Sequence, residues 1–255
     1  MESNSEAERT TPPASSAISL DPKDSPNFLA GLSRELSRPL FALREEIVGF
    51  ADSAPGKEET ARQLFSSCDR LLDLTRDYFE YARLSSPEAP PAVFQSFSVS
   101  SWLTTLDRRF APTALERGLR WVLERTGEDF VVSTDADRLV RIVEPLVYNA
   151  LKFSLPGGTV RATIGREDED FWRIDVQDDG PGIPAEELDN LFAPFFRLNP
   201  PGFSGEDGNG LGLSLARLLV ETLRGEIRIE STFGNGTRVI VRLPINSSPP
   251  VLCLP

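Results

Sequence analysis

The segment YNALKFS carries the first chemical hint in this 255-residue chain. Asn149 has a carboxamide oxygen suited to a hard cation, and Lys152, three residues on, shares its helical face. An amide oxygen beside an ammonium suits a magnesium-bound polyphosphate, though an ordinary solvated helix face has the same composition. In DVQDDGPGIP a strand ends in two carboxylates, followed by Gly180 and Gly182. Glycine lets backbone approach a ligand closely, and the Asp178 carboxylate can accept from an exocyclic amine and so select adenine. Taken alone, those residues read equally as an acidic Gly-Pro turn. GEDGNGLGLSLA, with Gly208, Gly210, Leu211 and Gly212, is a glycine-rich loop running into a helix. The free N–H groups and positive dipole end of a helix N-terminus hold phosphate. No Lys-Ser/Thr pair follows the glycines, so this is not a P-loop. FGNGTRVIV reads as a tight hairpin turn with Thr237 at its exit.

The bulk composition limits the partners. The formal charge is −12, from 39 acidic and 27 basic residues. Such a chain repels phosphate backbones and anionic surfaces, which argues against a nucleic-acid partner. The two cysteines, Cys68 and Cys253, form no disulfide framework. Cys68 lies in an apolar helical pattern and reads as a small buried hydrophobe, as fits a reducing compartment. No apolar run approaches the ~18 residues that span a bilayer, and the first residues lack a basic-then-apolar leader. The expectation is a soluble, cytoplasmic protein with no membrane insertion. The sequence contains no histidine.

The elements that position these residues fall into five stretches. Residues 1–25 are rich in Ser, Thr, Pro and Glu and are expected to form a disordered tail. Residues 26–85 read as a helical hairpin. Leu29, Leu32, Leu36, Leu40, Leu43, Ile47 and Phe50 make one apolar stripe, and Leu64, Cys68, Leu71, Thr75, Tyr78 and Ala82 make a second near heptad spacing. Two such stripes need cover, either from a second hairpin in a four-helix bundle or from the rest of the same chain. Residues 86–92 form a Pro-rich linker. Residues 93–245 change to an α/β texture. It predicts a strand at Phe94–Val99, a helix capped by Ser100, strands near Leu119–Glu124 and Phe130–Val132, and a helix from Asp135 to Phe153. Strands at Thr159–Arg166 and Phe171–Val176, a helix at Leu211–Leu223, and strands at Glu226–Ser231 and Thr237–Leu243 complete it. Two helices on one strand-rich layer suggest an α/β sandwich. Residues 246–255 read as a short tail.

Taken together and in order, NALKF, DDGPGIP, LFAPFFR, GNGLGL and GNGT resemble the ATP-binding domain of sensor histidine kinases of two-component systems. They correspond to that family's N, G1, F, G2 and G3 boxes. The resemblance spans about Val93 to Pro244. It implies an α+β chain, in which an antiparallel helical hairpin (a four-helix bundle on dimerisation) precedes a Bergerat-type α/β sandwich that binds ATP with Mg2+. It further implies that Asn149 binds magnesium, Lys152 binds phosphate and Asp178 takes the adenine amino group. Gly180 and Gly182 would shape the base pocket, and Gly208, Gly210, Leu211 and Gly212 would serve the phosphates, with Thr237 closing the set. The lid would be roughly Arg197 to Asn209.

Two departures stand against the family pattern. Family members commonly place an Asn four residues before the magnesium Asn, and related ATPases place a water-activating Glu there. This chain has Pro145. Glu144 is one residue off, about 100° round the helix. The second departure lies in FLAGLSRELSRPLFAL, which resembles the dimerisation and phosphotransfer helix of the family. Aligned on Glu35, Leu36, Pro39 and Leu40, the phosphoacceptor histidine falls at Arg34 and the phosphatase threonine at Arg38. Imidazole has a ring lone pair with which to attack phosphorus, whereas guanidinium has none and stays protonated. Glu35, the usual base beside the histidine, has lost its client. Three functions remain open. The first is an ATP-binding dimer, homo- or heteromeric through the hairpin, that docks a response regulator or another histidine kinase. The second is a kinase acting in trans on a partner's histidine. The third is a hydroxyl kinase using Ser33, Ser37 or a partner.

Overall fold

In this computed structural model the described residues are 58–198 and 210–246, with positions 40, 41, 43–45 and 47–49 before them. Arg34, Glu35 and Gly208 lie outside the described residues, as do both expected tails apart from Asn246.

Helix α1 (Glu58–Leu84) enters the α/β part through a short connection. Then come β1 (Gln95–Ser98), α2 (Val99–Glu116), β2 (Arg120–Thr126), β3 (Val131–Thr134), α3 (Ala136–Phe153), β4 (Thr159–Arg166), β5 (Phe171–Asp178), a 3-10 turn (Ala185–Asn190), α4 (Gly212–Thr222), β6 (Glu226–Ser231) and β7 (Thr237–Pro244). Five strands form one sheet in the order β2-β4-β5-β7-β6, with β2 and β4 parallel and the other neighbours antiparallel. β1 and β3 pair separately.

Alternation explains why the sheet is covered on one side. Trp172, Ile174 and Val176 of β5 face inward with Val160, Ala162 and Ile164 of β4 and Val239, Val241 and Leu243 of β7, all buried. The opposite face is polar and cross-paired. Arg238 Nη2 donates to Asp175 Oδ2 (2.7 Å), and Arg161 Nη1 to Glu124 Oε2 (3.0 Å). Helix α3 supplies the largest apolar stripe, with Leu139, Ile142, Val143, Leu146, Val147, Ala150 and Leu151 buried at helical spacing. Each such side chain stabilises the fold by roughly 1.5–3 kcal/mol through burial.

Three helices, not two, cover this face. Val99, Trp102, Leu106, Phe110 and Ala114 of α2 join the same core as α3 and α4. The cap of α2 is also two residues earlier than the pattern suggests. The Ser98 hydroxyl accepts from Ser101 N–H (3.4 Å), whereas Ser100 N–H is taken by Asp129 Oδ1 (3.0 Å). Strands β2 and β5 run two residues further than expected. β5 thereby extends to Asp178, so that residue belongs to the sheet and not to the turn after it.

The connection from α1 is anchored. Asp135 caps α3 at Arg138 N–H (3.0 Å) and also accepts from Val93 N–H (2.8 Å). The Arg138 guanidinium donates to Pro90 O. Glu80 of α1 pairs with Arg141 of α3 (2.9 Å), and Leu84 is buried in the main core. Nearer its start, α1 buries Cys68 against Ile47 and the partly buried Phe65, and Arg44 pairs with Asp69 (3.3 Å). Leu64 and Leu71 remain 47% exposed. Within one chain the second stripe is therefore covered in part, chiefly at its C-terminal end.

Candidate functional site

The site is best built outward from Asp178, at the C-terminal end of β5. The residue is 8% exposed. Oδ1 accepts from Gly180 N–H (2.8 Å) and from Thr237 N–H (3.2 Å). Burial pushes the carboxyl up to about 6, because desolvation penalises the charged form. The two backbone bonds oppose that shift, and neighbouring Asp179 adds to it. A carboxylate held in this way is a pre-aimed acceptor in a shielded corner.

The loop after Asp178 is wedged in place. Gly182 has φ +67°, and a Cβ there would lie 2.1 Å from Thr232 O. Only glycine fits, for conformation and for space together. A Cβ on Gly180 would meet Phe153 O at 2.7 Å, which places this loop directly against the end of α3. Gly234 N–H donates to Pro181 O (2.7 Å), tying the loop to the β6–β7 hairpin.

Helix α3 forms the adjoining wall. Its residue 153 touches the Gly180 loop, and its residue 145 touches the start of α4, where a Cβ on Gly212 would lie 3.0 Å from Pro145 Cβ. Positions 145, 149 and 153 recur every four residues on one face. Asn149, half-buried, therefore lies between the two walls. Lys152 Nζ sits 4.8 Å from the Phe153 ring centroid. Leu211 is fully buried at the N-cap of α4, and its carbonyl accepts from the Ser214 hydroxyl (2.9 Å). Gly210, with φ +71°, accepts at its carbonyl from Phe195 N–H (2.9 Å).

The fold thus brings Asp178, Gly180, Gly182 and Thr237 into one hydrogen-bonded corner. Asn149 and Lys152 stand beside it, and Gly210, Leu211 and Gly212 lie at the far end of the same α3 face. Glu144 is turned away and pairs with Arg109 of α2. Pro145 contributes a ring, with no polar side-chain atom. Among the described residues no group of three or more His, Cys, Asp or Glu is placed to hold a metal ion. The donors at hand therefore fit a magnesium that arrives with a polyphosphate. Asn149 offers one oxygen, and such an ion retains waters and takes phosphate oxygens for the rest. The glycine-lined corner and the glycine-bearing start of α4 suit an adenine nucleotide by polarity.

Sequence reasoning missed Ser231 and Gly236. The Ser231 hydroxyl is bonded to Ile183 N–H, Gly236 O and Thr237 Oγ1. A Cβ on Gly236 would lie 2.1 Å from Asp178 O. Alternation marks Ser231 as inward-facing, but its bond to Ile183, 48 residues earlier, leaves no local signal.

Residues 134–247 match the family of histidine kinase-, DNA gyrase B- and HSP90-like ATPases. Along 85% of its length the chain is 27% identical to the sensor histidine kinase WalK of Bacillus subtilis, covering 36% of that protein. It is 29% identical over 86% of its length to the sensor histidine kinase RcsC of Escherichia coli, covering 23% of that protein. The chain is thus similar to sensor histidine kinases along most of its length. The match to the ATPase family lies within its second part, and the chain spans about a third or less of the length of these two relatives. The catalytic domain of the histidine kinase ThkA superimposes with a TM-score of 0.53 at 25% identity, over 61% of this chain and 97% of that one. Full-length ShkA, solved with AMPPNP, shares the fold with a TM-score of 0.75 at 24% identity, over 88% of this chain and 47% of that one. The α/β sandwich is the fold shared with these solved structures. Among its described residues no helix is long and apolar enough to cross a membrane.

Proposed function

We propose that this chain is an ATP-binding, dimeric member of a two-component phosphorelay that does not phosphorylate itself on histidine. It acts as a regulator or docking partner for a response regulator or another histidine kinase. The observation that carries this reading is the absence of any histidine from a sequence whose Asp178 corner is fully assembled. Arg34 stands at the acceptor position and Glu35 beside it, and guanidinium offers no lone pair to phosphorus.

In this reading Asp178 accepts from the adenine amine, and Gly180 and Gly182 let the loop lie against the base. Asn149 supplies one oxygen to magnesium, and magnesium spreads the phosphate charge. Lys152 adds a cation, and the start of α4, from Gly208 through Gly210, Leu211 and Gly212, offers N–H groups to the phosphates. At this position of α3 no carboxylate is placed to activate water, since Glu144 is held by Arg109 and residue 145 is proline. The hairpin, residues 26–85, pairs with a second hairpin through the stripe on which Leu64 and Leu71 stay half-exposed. The ATP domain is residues 93–245, reached through 86–92.

The intact nucleotide corner also favours a second reading, kinase action in trans on a partner histidine. Incubation with labelled ATP and magnesium separates the readings. We expect bound nucleotide and no label on this chain. Acid-labile label appearing on a partner alone supports the trans kinase. Acid-stable label on this chain overturns the first reading in favour of a hydroxyl kinase, and failure to bind nucleotide removes every kinase reading.

A further inference from the structure

The strand register places three polar side chains in one row across the sheet. Asp178 pairs with Thr237, and Thr237 pairs with Ser231. All three therefore project from the same face. Ser231 Oγ lies 2.9 Å from Ile183 N, 2.7 Å from Gly236 O and 3.0 Å from Thr237 Oγ1. A serine hydroxyl has one hydrogen and two lone pairs. Gly236 O can only accept, so the Ser231 hydrogen goes there. Ile183 N–H can only donate, so it takes one lone pair. The remaining lone pair faces Thr237 Oγ1, which must then be the donor in that contact. Thr237 has spent its single hydrogen on Ser231 and has only lone pairs left for anything else. Its own N–H is already bonded to Asp178 Oδ1.

We propose that Ser231 is a specificity-determining positioning residue that fixes the Thr237 hydroxyl as an acceptor, so that Asp178 and Thr237 together select a base carrying an amine over one carrying a carbonyl. This rests on the reading of Asp178 as the adenine contact. An exocyclic amine has two hydrogens for two acceptors. A guanine carbonyl has none, and faces lone pairs at both. Without Ser231 the Thr237 hydroxyl rotates freely and can donate to a carbonyl instead. A site built around fixed polar groups discriminates strongly because the wrong partner leaves them unpaired.

The test measures ATP and GTP affinities by calorimetry on the full chain, for the parent and for Ser231→Ala, Ser231→Thr and Thr237→Val. We expect the parent to prefer ATP. In Ser231→Ala the ATP-to-GTP ratio should narrow by about tenfold or more. Ser231→Thr, which keeps the hydroxyl, should hold the ratio within about threefold of the parent. Thr237→Val, which leaves no hydroxyl to orient, should narrow it as Ser231→Ala does. The ratio is insensitive to the folded fraction, since both nucleotides bind the same folded molecules. An unchanged ratio in both Ser231→Ala and Thr237→Val, with ATP still bound, overturns the inference and leaves the adenine reading standing. A parent that binds ATP and GTP equally, or neither, overturns the adenine reading itself.

Discussion

The two ends of the α3 wall are built on opposite terms. At the Asp178 end every contact is reciprocal. The carboxylate accepts two N–H groups, Gly182 fits where a methyl would strike Thr232 O, and Ser231 joins the Ile183 loop to the β6–β7 turn. At the Pro145 end the same wall presents a hydrocarbon ring to Gly212, and the adjacent carboxylate, Glu144, is paired with Arg109 of α2. Under the proposed function the first end recognises a base and the second faces the phosphates. Recognition needs several groups held in register. Chemistry on phosphate needs one reactive group at one place, and there the residue types are wrong for it. A chain can lose the second end and still use the first.

The largest effect should come from crowding the recognition end. Gly182→Ala adds a Cβ at φ +67° with Thr232 O in its way, and should destabilise the fold by about 3–4 kcal/mol in denaturant titration. Gly157→Ala is the control, with φ +78° and nothing within 4 Å of the new atom. It should lose only about 1 kcal/mol from backbone strain. Equal losses would mean the loop is not wedged.

Next is Asp178→Ala, which should weaken ATP binding about 100-fold by calorimetry, the loss of a hydrogen bond to a charged acceptor. Binding unchanged within threefold would place the base elsewhere.

The raised Asp178 pKa gives a pH signature with a definite sign. The folded value of about 6 exceeds the ordinary 3.8. The folded protein therefore holds a proton that the unfolded chain has released. The resulting stability is fully present below pH 3.8 and is lost as pH rises through about 6. It amounts to roughly 2–3 kcal/mol. Asp178→Asn should remove this dependence in urea titrations at pH 4 and pH 7. Over the same interval ATP affinity should rise with pH, since the ionised carboxylate is the better acceptor. Parallel curves for parent and variant would show that Asp178 does not titrate there.

The smallest change is expected at the other end. Pro145→Asn restores a carboxamide one turn from Asn149 and a backbone donor within α3. It should raise magnesium-dependent ATP affinity a few-fold, which is on the order of 1 kcal/mol. No gain would mean that the proline is not what limits the phosphate end.

Much of the α/β part could be read from the chain. The stripe on α3 and the alternation of β4, β5 and β7 are local patterns, and local patterns specify local structure. The one misplaced cap shows the limit. Ser98 and Ser100 are equally good candidates by type, and Asp129, 29 residues beyond Ser100, decides between them. The third covering helix was legible as a helix but not as a member of the layer, because membership depends on which sheet face the chain crosses.

By itself the sequence determined which reactions are chemically available. It holds no imidazole, it sets Pro145 where a polar side chain is expected, and it orders five boxes that resemble those of a nucleotide site. Those are statements about atoms present or absent, and no folding alters them. Tertiary structure decided how the remaining atoms are used. It buried Asp178 deeply enough to raise its pKa, turned Glu144 toward Arg109, and set Ser231 between the Ile183 loop and the β6–β7 turn so that one hydroxyl hydrogen has one place to go. Hydrogen-bond direction and desolvation depend on neighbours distant in the chain, and they come into being only when those neighbours meet.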